Sequence, residues 1–181
     1  MCVGNNAKAR ALSWGEFIDA VASPMIVFDR YLDVVAANRL AGAVSAAFRV
    51  GTNLGRFTFL NPMVEETAEQ WTVEAAHVAA ALRHSLQQHD PDQRFREIVG
   101  ELVAQSESFA ALWAAPTGAP ETHGVAVFRN PLVGTMHLAH EHLRRTDGEG
   151  HTVMVWAPAD RESSERLERL RGLLTADPSA V

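Results

Sequence analysis

Apolar residues recur at helical spacing along the middle of the chain. The clearest repeat spans residues 64–88 and predicts one long helix. Its stripe consists of Trp71, Ala75, Val78, Ala79, Leu82 and Leu86. Asp90-Pro91 ends this helix, because the residue before a proline avoids helical geometry. A second stripe from Phe95 to Val103 predicts the next helix, and Ser106 followed by Glu107 predicts the start of a third.

Shorter patterns predict the remaining elements. Helices are predicted at residues 13–22 and 39–48, capped by Ser13 and Asn38, and at residues 161–174. Strands are predicted at residues 25–28, 32–36, 122–128, 135–142 and 151–157. Turns at residues 130–134 and 147–150 join the last three strands. Residues 51–62 are predicted to form a loop, because Gly51, Asn53 and Gly55 interrupt them.

The order of these elements predicts the fold class. Two strands, a run of helices and three further strands indicate an α+β domain with a five-stranded antiparallel sheet, flanked by helices at both ends. This is also the element order of a PAS domain. A pocket between sheet and helices follows, because such layers leave room where they do not interdigitate. We expect a leader or linker remnant at 1–12, the ligand-binding domain at 13–158 and a C-terminal helix and tail at 159–181.

Composition narrows the function classes. The 181 residues carry a net charge of −6, which disfavours binding to phosphate backbones. One cysteine, Cys2, excludes an internal disulfide. No apolar run approaches the roughly 20 residues that span a bilayer, and no secretory signal precedes the domain, so a cytoplasmic location without membrane contact is expected. No nucleophile elbow, H-E-x-x-H or phosphate loop is present, so we expect neither an enzyme nor a cofactor.

Several short motifs occur in a fixed order. Residues 82–113 read LRHSLQQHDPDQRFREIVGELVAQSESFAALW, NPLVG follows at residues 130–134, and PMIVFDRYLDVVAAN stands at residues 24–38. The succession of LR, D-P-D, ELVAQS, F-x-x-LW and P-L-V-G resembles the MmyB-like ligand-binding domain of XRE-type helix-turn-helix regulators. The resemblance covers about residues 14–157. The chain departs from the family pattern at Ala37, where tryptophan is usual, and at Asn130, where histidine is usual.

The resemblance implies a PAS-like sensor that binds a small hydrophobic ligand, with fatty-acid-like molecules as a candidate class. In that family an attached helix-turn-helix binds DNA. The segment before Trp14 is too short for such a module, so we expect no specific DNA binding by this polypeptide alone. Either the DNA-binding module lies outside this chain, or the chain is a stand-alone sensor.

A homodimer is also expected, since such regulators read paired half-sites. The terminal leucines Leu167, Leu170 and Leu174 either pack on their own domain or form the dimer seam.

Candidate ligand contacts come from one arginine and a set of apolar residues. Arg83 occupies the LR position and is suited to a ligand carboxylate; the alternative is a surface pair or a cap on loop carbonyls. An acyl-chain pocket is expected to be lined by Phe57, Phe59, Trp71, Phe95, Phe109, Trp113, Met136 and Leu138, with Val125, Val127, Val153 and Val155 beside them. Most of these residues are expected to be core, and a minority to touch the ligand.

Histidines suggest two further functions. His140 and His142 are two apart in one predicted strand and share a face, whereas His137 lies on the opposite face. Two imidazoles are too few for a closed zinc site, and no cysteine joins them, so no metal is expected. We interpret His140 as a pocket-facing or core residue. The alternatives are an enzyme that uses His140 as general base and a dimerisation module without a pocket.

Overall fold

The computed structural model describes residues 14–64, 69–90, 92–115, 120–144 and 150–176. The helices are α1 (Trp14–Asp19), α2 (Arg39–Val44), α3 (Leu54–Leu60), α4 (Glu69–Gln88), α5 (Gln93–Gln105), α6 (Glu107–Ala114) and α7 (Arg161–Ala176), with a 3-10 turn at Ala46–Phe48. The strands are β1 (Met25–Phe28), β2 (Val34–Ala37), β3 (His123–Asn130), β4 (Gly134–Arg144) and β5 (Thr152–Pro158). The predicted leader at 1–12, the Ser13 cap and turn residues 147–149 lie outside the described residues.

The five strands form one antiparallel sheet in the order β2-β1-β5-β4-β3. The pairings are β1 with β2, β1 with β5, β4 with β5 and β3 with β4. Helices α2 to α6 lie in sequence between β2 and β3. This confirms the predicted α+β class and the predicted position of the helices between the second and third strands.

The two faces of the sheet have different environments. Side chains alternate across a strand, so Phe28, Leu138 and Trp156 lie on one face, here called the inner face, and belong to the main hydrophobic core. The outer face carries Val27 and Val153, which pack in a second cluster against α1. Any cavity between the sheet and the helices that follow β2 therefore lies on the inner face.

The turn between β1 and β2 places the start of the second strand. The carboxylate of Asp29 accepts hydrogen bonds from the backbone nitrogens of Tyr31 (2.8 Å) and Asp33 (3.0 Å). Leu32 has a φ of 66° in this turn. Because Leu32 belongs to the turn, β2 begins at Val34, and the predicted strand start at residue 32 is two residues early.

The predicted loop at residues 51–62 is wrong, because this segment contains α3. The Asn53 side chain caps the helix, accepting a hydrogen bond from the backbone nitrogen of Arg56 at 3.0 Å. Gly55 permits close packing on α5, since a Cβ there would lie 3.2 Å from the Leu102 side chain. Phe59 is buried. Asn53 and Gly55, which predicted a loop, are instead the cap of α3 and the point where α3 approaches α5 closely.

Helix α7 packs on its own domain. Leu167, Leu170 and Leu174 are all buried and belong to the main core. The hydroxyl of Ser163 accepts a hydrogen bond from the backbone nitrogen of His137 on β4 at 2.8 Å. Of the two predicted roles for the leucine stripe, packing on the domain itself is therefore confirmed, and the stripe is not available as a dimer seam.

Candidate functional site

The inner face of the sheet and the helices above it form a cavity of about 1060 Å³ that is partly open to solvent. Its walls are residues 42–49, α3, α4, strands β3 to β5 and the C-terminal part of α7. Small-molecule sites are concave, mostly apolar and occupy about 300–1,000 Å³, so the cavity can hold a ligand of that class. A smaller depression of about 370 Å³ lies on the other side of the sheet, beside Ala139 and Ala157.

Three aromatic rings form one wall of the cavity. Phe48 from the 3-10 turn lies 4.4 Å from Trp156 of β5 and 5.5 Å from Phe128 of β3, measured between ring centroids. All three line the cavity. Their packing makes this wall of the cavity apolar, which favours an apolar ligand. None of the three rings was predicted from the sequence to contact a ligand.

The predicted ligand residues divide between the cavity and the core. Phe57, Trp71 and His140 line the cavity. Val125 and Val127 of β3 also line it, whereas these apolar candidates lie outside its lining: Phe59, Phe95, Phe109, Trp113, Met136, Leu138, Val153 and Val155. Of these, Phe59 and Phe109 stand 5.0 Å apart in an edge-on ring pair behind the cavity wall, and aromatic pairs of this geometry stabilise a core.

The β-strand candidates show why the predicted lining was too broad. Met136 and Leu138 are on the inner face but have no exposed surface, since they belong to the core that α7 covers. Val153 and Val155 point to the outer face and pack in the cluster beneath α1. Val125 also belongs to the outer face and is 60% exposed, but it borders the cavity at the sheet edge formed by β3. The predicted set therefore mixed residues from both faces of the sheet.

Arg83 binds the end of α6. Its guanidinium donates hydrogen bonds to the carbonyl oxygens of Ala115 (2.7 Å), Leu112 (3.3 Å) and Trp113. The same group lies 5.0 Å from the centroid of the Trp113 ring, in cation–π geometry. A helix C-terminus has unpaired carbonyls and a partial negative charge. This geometry favours the predicted alternative in which Arg83 caps carbonyls.

His140 and His142 stand side by side on the inner face of β4. Their ring centroids are 5.4 Å apart, and both residues line the cavity. His137 lies on the other face, with Nδ1 3.2 Å from the carboxylate of Asp160. The predicted assignment of these three histidines to the two faces is confirmed.

Buried nitrogens on this wall lack hydrogen-bond partners within the described ranges of the chain. They are Nδ1 of His140, Nε2 of His142 and Nε1 of Trp156. His140 and Trp156 are cross-strand neighbours in the β4–β5 register. An unsatisfied buried polar group is costly, so each such group requires an explanation.

Burial keeps both imidazoles uncharged at neutral pH. Burial, together with smaller effects of the nearby His140, Arg144 and His77, lowers the pKa of His142 to about 4. Burial also lowers the pKa of His140, and the charge of His77 acts in the same direction. A neutral imidazole has one nitrogen that donates and one that accepts a hydrogen bond.

The opposite wall carries an acid on α4. Glu74 lines the cavity, and burial by the surrounding protein raises the pKa of its carboxyl. One turn further along, His77 places Nε2 3.4 Å from the carboxylate of Glu121. Strand β4 and helix α4 thus each contribute polar groups to the cavity lining.

Gly124 makes room for His140. The two residues are paired across β3 and β4, and a Cβ at position 124 would lie 3.0 Å from Cε1 of the His140 ring. Any larger side chain would force the ring to move. The lack of a side chain at Gly124 therefore leaves room for the His140 ring in its present position.

Metal and acid–base chemistry have little structural support here. The described residues contain no group of three or more His, Cys, Asp or Glu side chains that could hold a metal. Nδ1 of His140 has no hydrogen-bond partner in the described part of the chain, whereas a catalytic base is usually oriented by a third group.

An antiparallel sheet and helices around a cavity of this size are the construction of a small-molecule-binding α+β domain. The chain belongs to the MmyB-like transcription regulator ligand binding domain family, whose model matches residues 14–170. The resemblance drawn from the motifs is thereby confirmed. No curated protein matches the chain.

Among solved structures, the PAS domain from Bordetella pertussis BvgS is similar to this chain at 16% identity, covering 89% of this chain and 93% of that one. Its TM-score is 0.34. Within the described ranges, no helix has both the length and the apolar character needed to cross a membrane.

Proposed function

We propose that this chain is the sensory domain of a bacterial transcription regulator and binds a small hydrophobic molecule in the inner-face cavity. The observation that carries the proposal is the cavity of about 1060 Å³ with an aromatic wall, within a domain of a ligand-binding family. The domain performs no reaction. Ligand binding instead changes the relative population of two conformations of the domain, and a DNA-binding module responds to that change. The ligand must therefore have different affinities for the two conformations.

The ligand body we propose is acyl-like. Phe48, Phe57, Trp71 and Phe128 line the cavity, and each methylene buried against such side chains contributes about 0.8 kcal/mol. A chain of about a dozen carbons then binds in the micromolar range after the entropic cost of association.

DNA contact, dimerisation and location are part of the same proposal. The net charge of −6 fits a domain that leaves phosphate binding to another module. A homodimer suits the reading of paired half-sites, with its seam away from the buried leucines of α7. A cytoplasmic location fits a regulator of transcription.

Two alternatives have less support. A dimerisation module without a pocket requires a filled interior, whereas the sheet and helices form a large cavity. An enzyme that uses His140 as base requires a group that orients the imidazole. Substitution His140→Ala with unchanged turnover of a nominated apolar substrate excludes that function.

Native mass spectrometry of the purified chain tests the proposal directly. We expect the folded protein to carry, or to take up from a mixture of lipid-like molecules, one small apolar ligand, and to release it on denaturation. The denatured chain serves as the control. Failure to find or load any such ligand contradicts the proposal.

A further inference from the structure

One wall of the cavity contains buried hydrogen-bonding groups that the protein itself does not satisfy. Nδ1 of His140, Nε2 of His142 and Nε1 of Trp156 have no partner in the described part of the chain. His140 is 8% exposed and Trp156 is 1% exposed. Both line the cavity from adjacent strands, so the side chains that carry these nitrogens border a molecule bound at this wall.

The imidazoles can present either kind of nitrogen to a ligand. A half-turn of the ring about the Cβ–Cγ bond exchanges nitrogens with carbons while keeping the outline of the ring. A neutral imidazole donates from one nitrogen and accepts at the other, and the tryptophan indole donates only. The wall therefore offers both donors and an acceptor.

Burial disfavours an anion at this wall. Among the described lining residues the acids Glu74 and Glu121 are matched by the arginines Arg49 and Arg129, so the lining carries no excess of positive charge that would compensate a buried carboxylate. The arginines of the lining, Arg49 and Arg129, are exposed at the surface. His140 and His142 are uncharged at neutral pH, and burial of an unpaired carboxylate is expensive.

We propose that the wall formed by His140, His142 and Trp156 selects ligands whose polar end is uncharged and both donates and accepts hydrogen bonds. A hydroxyl or a primary amide has this chemistry, whereas a carboxylate only accepts. The inference rests on the proposed function and narrows it: the acyl-like body ends in an alcohol or amide at this wall, and the corresponding acid binds less well.

The test compares 1-decanol, decanamide and decanoate, which share one chain and differ in the polar end. Each displaces the neutral fluorescent dye N-phenyl-1-naphthylamine from the protein at pH 7.5. We expect the alcohol and the amide to bind at least about tenfold more tightly than the acid. In His140→Phe and His142→Phe the preference, taken as the ratio of probe affinities measured on the same variant, should fall below about threefold. The control His137→Phe, on the outer face, should keep the full preference.

The outcomes separate the two proposals. If the dye and all three probes bind but decanoate binds as tightly as decanol, the head-group inference is wrong and the sensor function stands. Retention of the wild-type preference in both His140→Phe and His142→Phe also overturns the inference. If neither the dye nor any probe binds the wild-type chain, the proposed function and the inference are overturned together.

Discussion

Several single residues of the family motifs stabilise the scaffold through hydrogen bonds to the backbone. Oδ1 of Asn38 accepts hydrogen bonds from the backbone nitrogens of Met25 and Ala41, while its amide nitrogen donates to the Ser23 carbonyl at 2.7 Å. The side chain of Asn130 donates to the Ala43 carbonyl at 2.7 Å. The motifs therefore identify the family through residues that fix the frame of the cavity.

Arg83→Gln tests whether the arginine supports the scaffold or contacts the ligand. The variant loses hydrogen bonds to the carbonyls at the end of α6, so we expect the free energy of unfolding to fall by about 1–3 kcal/mol. Dye affinity should stay within about twofold of wild type. Urea denaturation and dye titration measure the two quantities. The matched control is Arg96→Gln, an exposed position on α5, with little effect on either. A large loss of dye affinity with unchanged stability would instead make Arg83 a ligand contact.

His142 should make the fold sensitive to acid. Its pKa is lowered from 6.5 to about 4 in the folded chain, where the neighbouring groups are His140 and Arg144 on β4, His77 on α4 and the Phe28 ring. Between these two pH values the unfolded chain binds a proton that the folded chain excludes. The contribution of His142 to the free energy of unfolding is therefore fully present above about pH 6.5. It is lost as the pH falls toward 4, by up to about 1.4 kcal/mol per pH unit.

The variant His142→Phe isolates this contribution. Between pH 7.5 and pH 5.0, urea denaturation should show wild type losing about 2 kcal/mol more stability than the variant. The same decline in both proteins would show that His142 does not cause it.

At the scale of elements, the turn between α4 and α5 joins the first hairpin to the helices. Asp92 caps α5 by accepting a hydrogen bond from the backbone nitrogen of Phe95 at 2.9 Å. It also accepts hydrogen bonds from the Tyr31 hydroxyl and the Arg30 guanidinium. The Tyr31 hydrogen bond is the main cause that lowers the pKa of Asp92. The D-P-D motif thus connects two elements that are distant in sequence.

Asp92→Ala should lower the melting temperature by several degrees, because it removes the cap of α5 and the hairpin contact together. Asp90→Ala is the control, since Asp90 is exposed on the other side of the proline and is not the cap residue of α5. We expect little change there. Thermal unfolding followed by circular dichroism compares the two, and equal effects would argue against the proposed role of Asp92.

Element prediction succeeded where one local signal determined the structure. The stripe through Leu82 and the cap at Ser106 depend on neighbours within one helix, and both helices are present. Helix α3 was missed because its glycine is explained only by contact with Leu102 of α5, which is distant in sequence. The start of β2 was missed because the side chain of Asp29 orders the turn before it.

At the scale of the whole molecule, the cavity depends on which face of the sheet the helices cover. Alternation along a strand separates His140 from His137 but does not say which face is enclosed. Phe48, Phe128 and Trp156 meet only after β5 inserts between β1 and β4. The existence of a pocket was therefore predictable from the order of elements, whereas most of its lining was not.

The most direct test of the central claim fills the cavity from the inner face. Ala126 lies on the inner face of β3 and lines the cavity, whereas Leu143 lies on the outer face of β4 and is 56% exposed. Titration of N-phenyl-1-naphthylamine should show at least about tenfold weaker binding to Ala126→Trp and wild-type binding to Leu143→Trp, with both variants folded by circular dichroism. Wild-type affinity in Ala126→Trp would show that apolar molecules do not bind in this cavity.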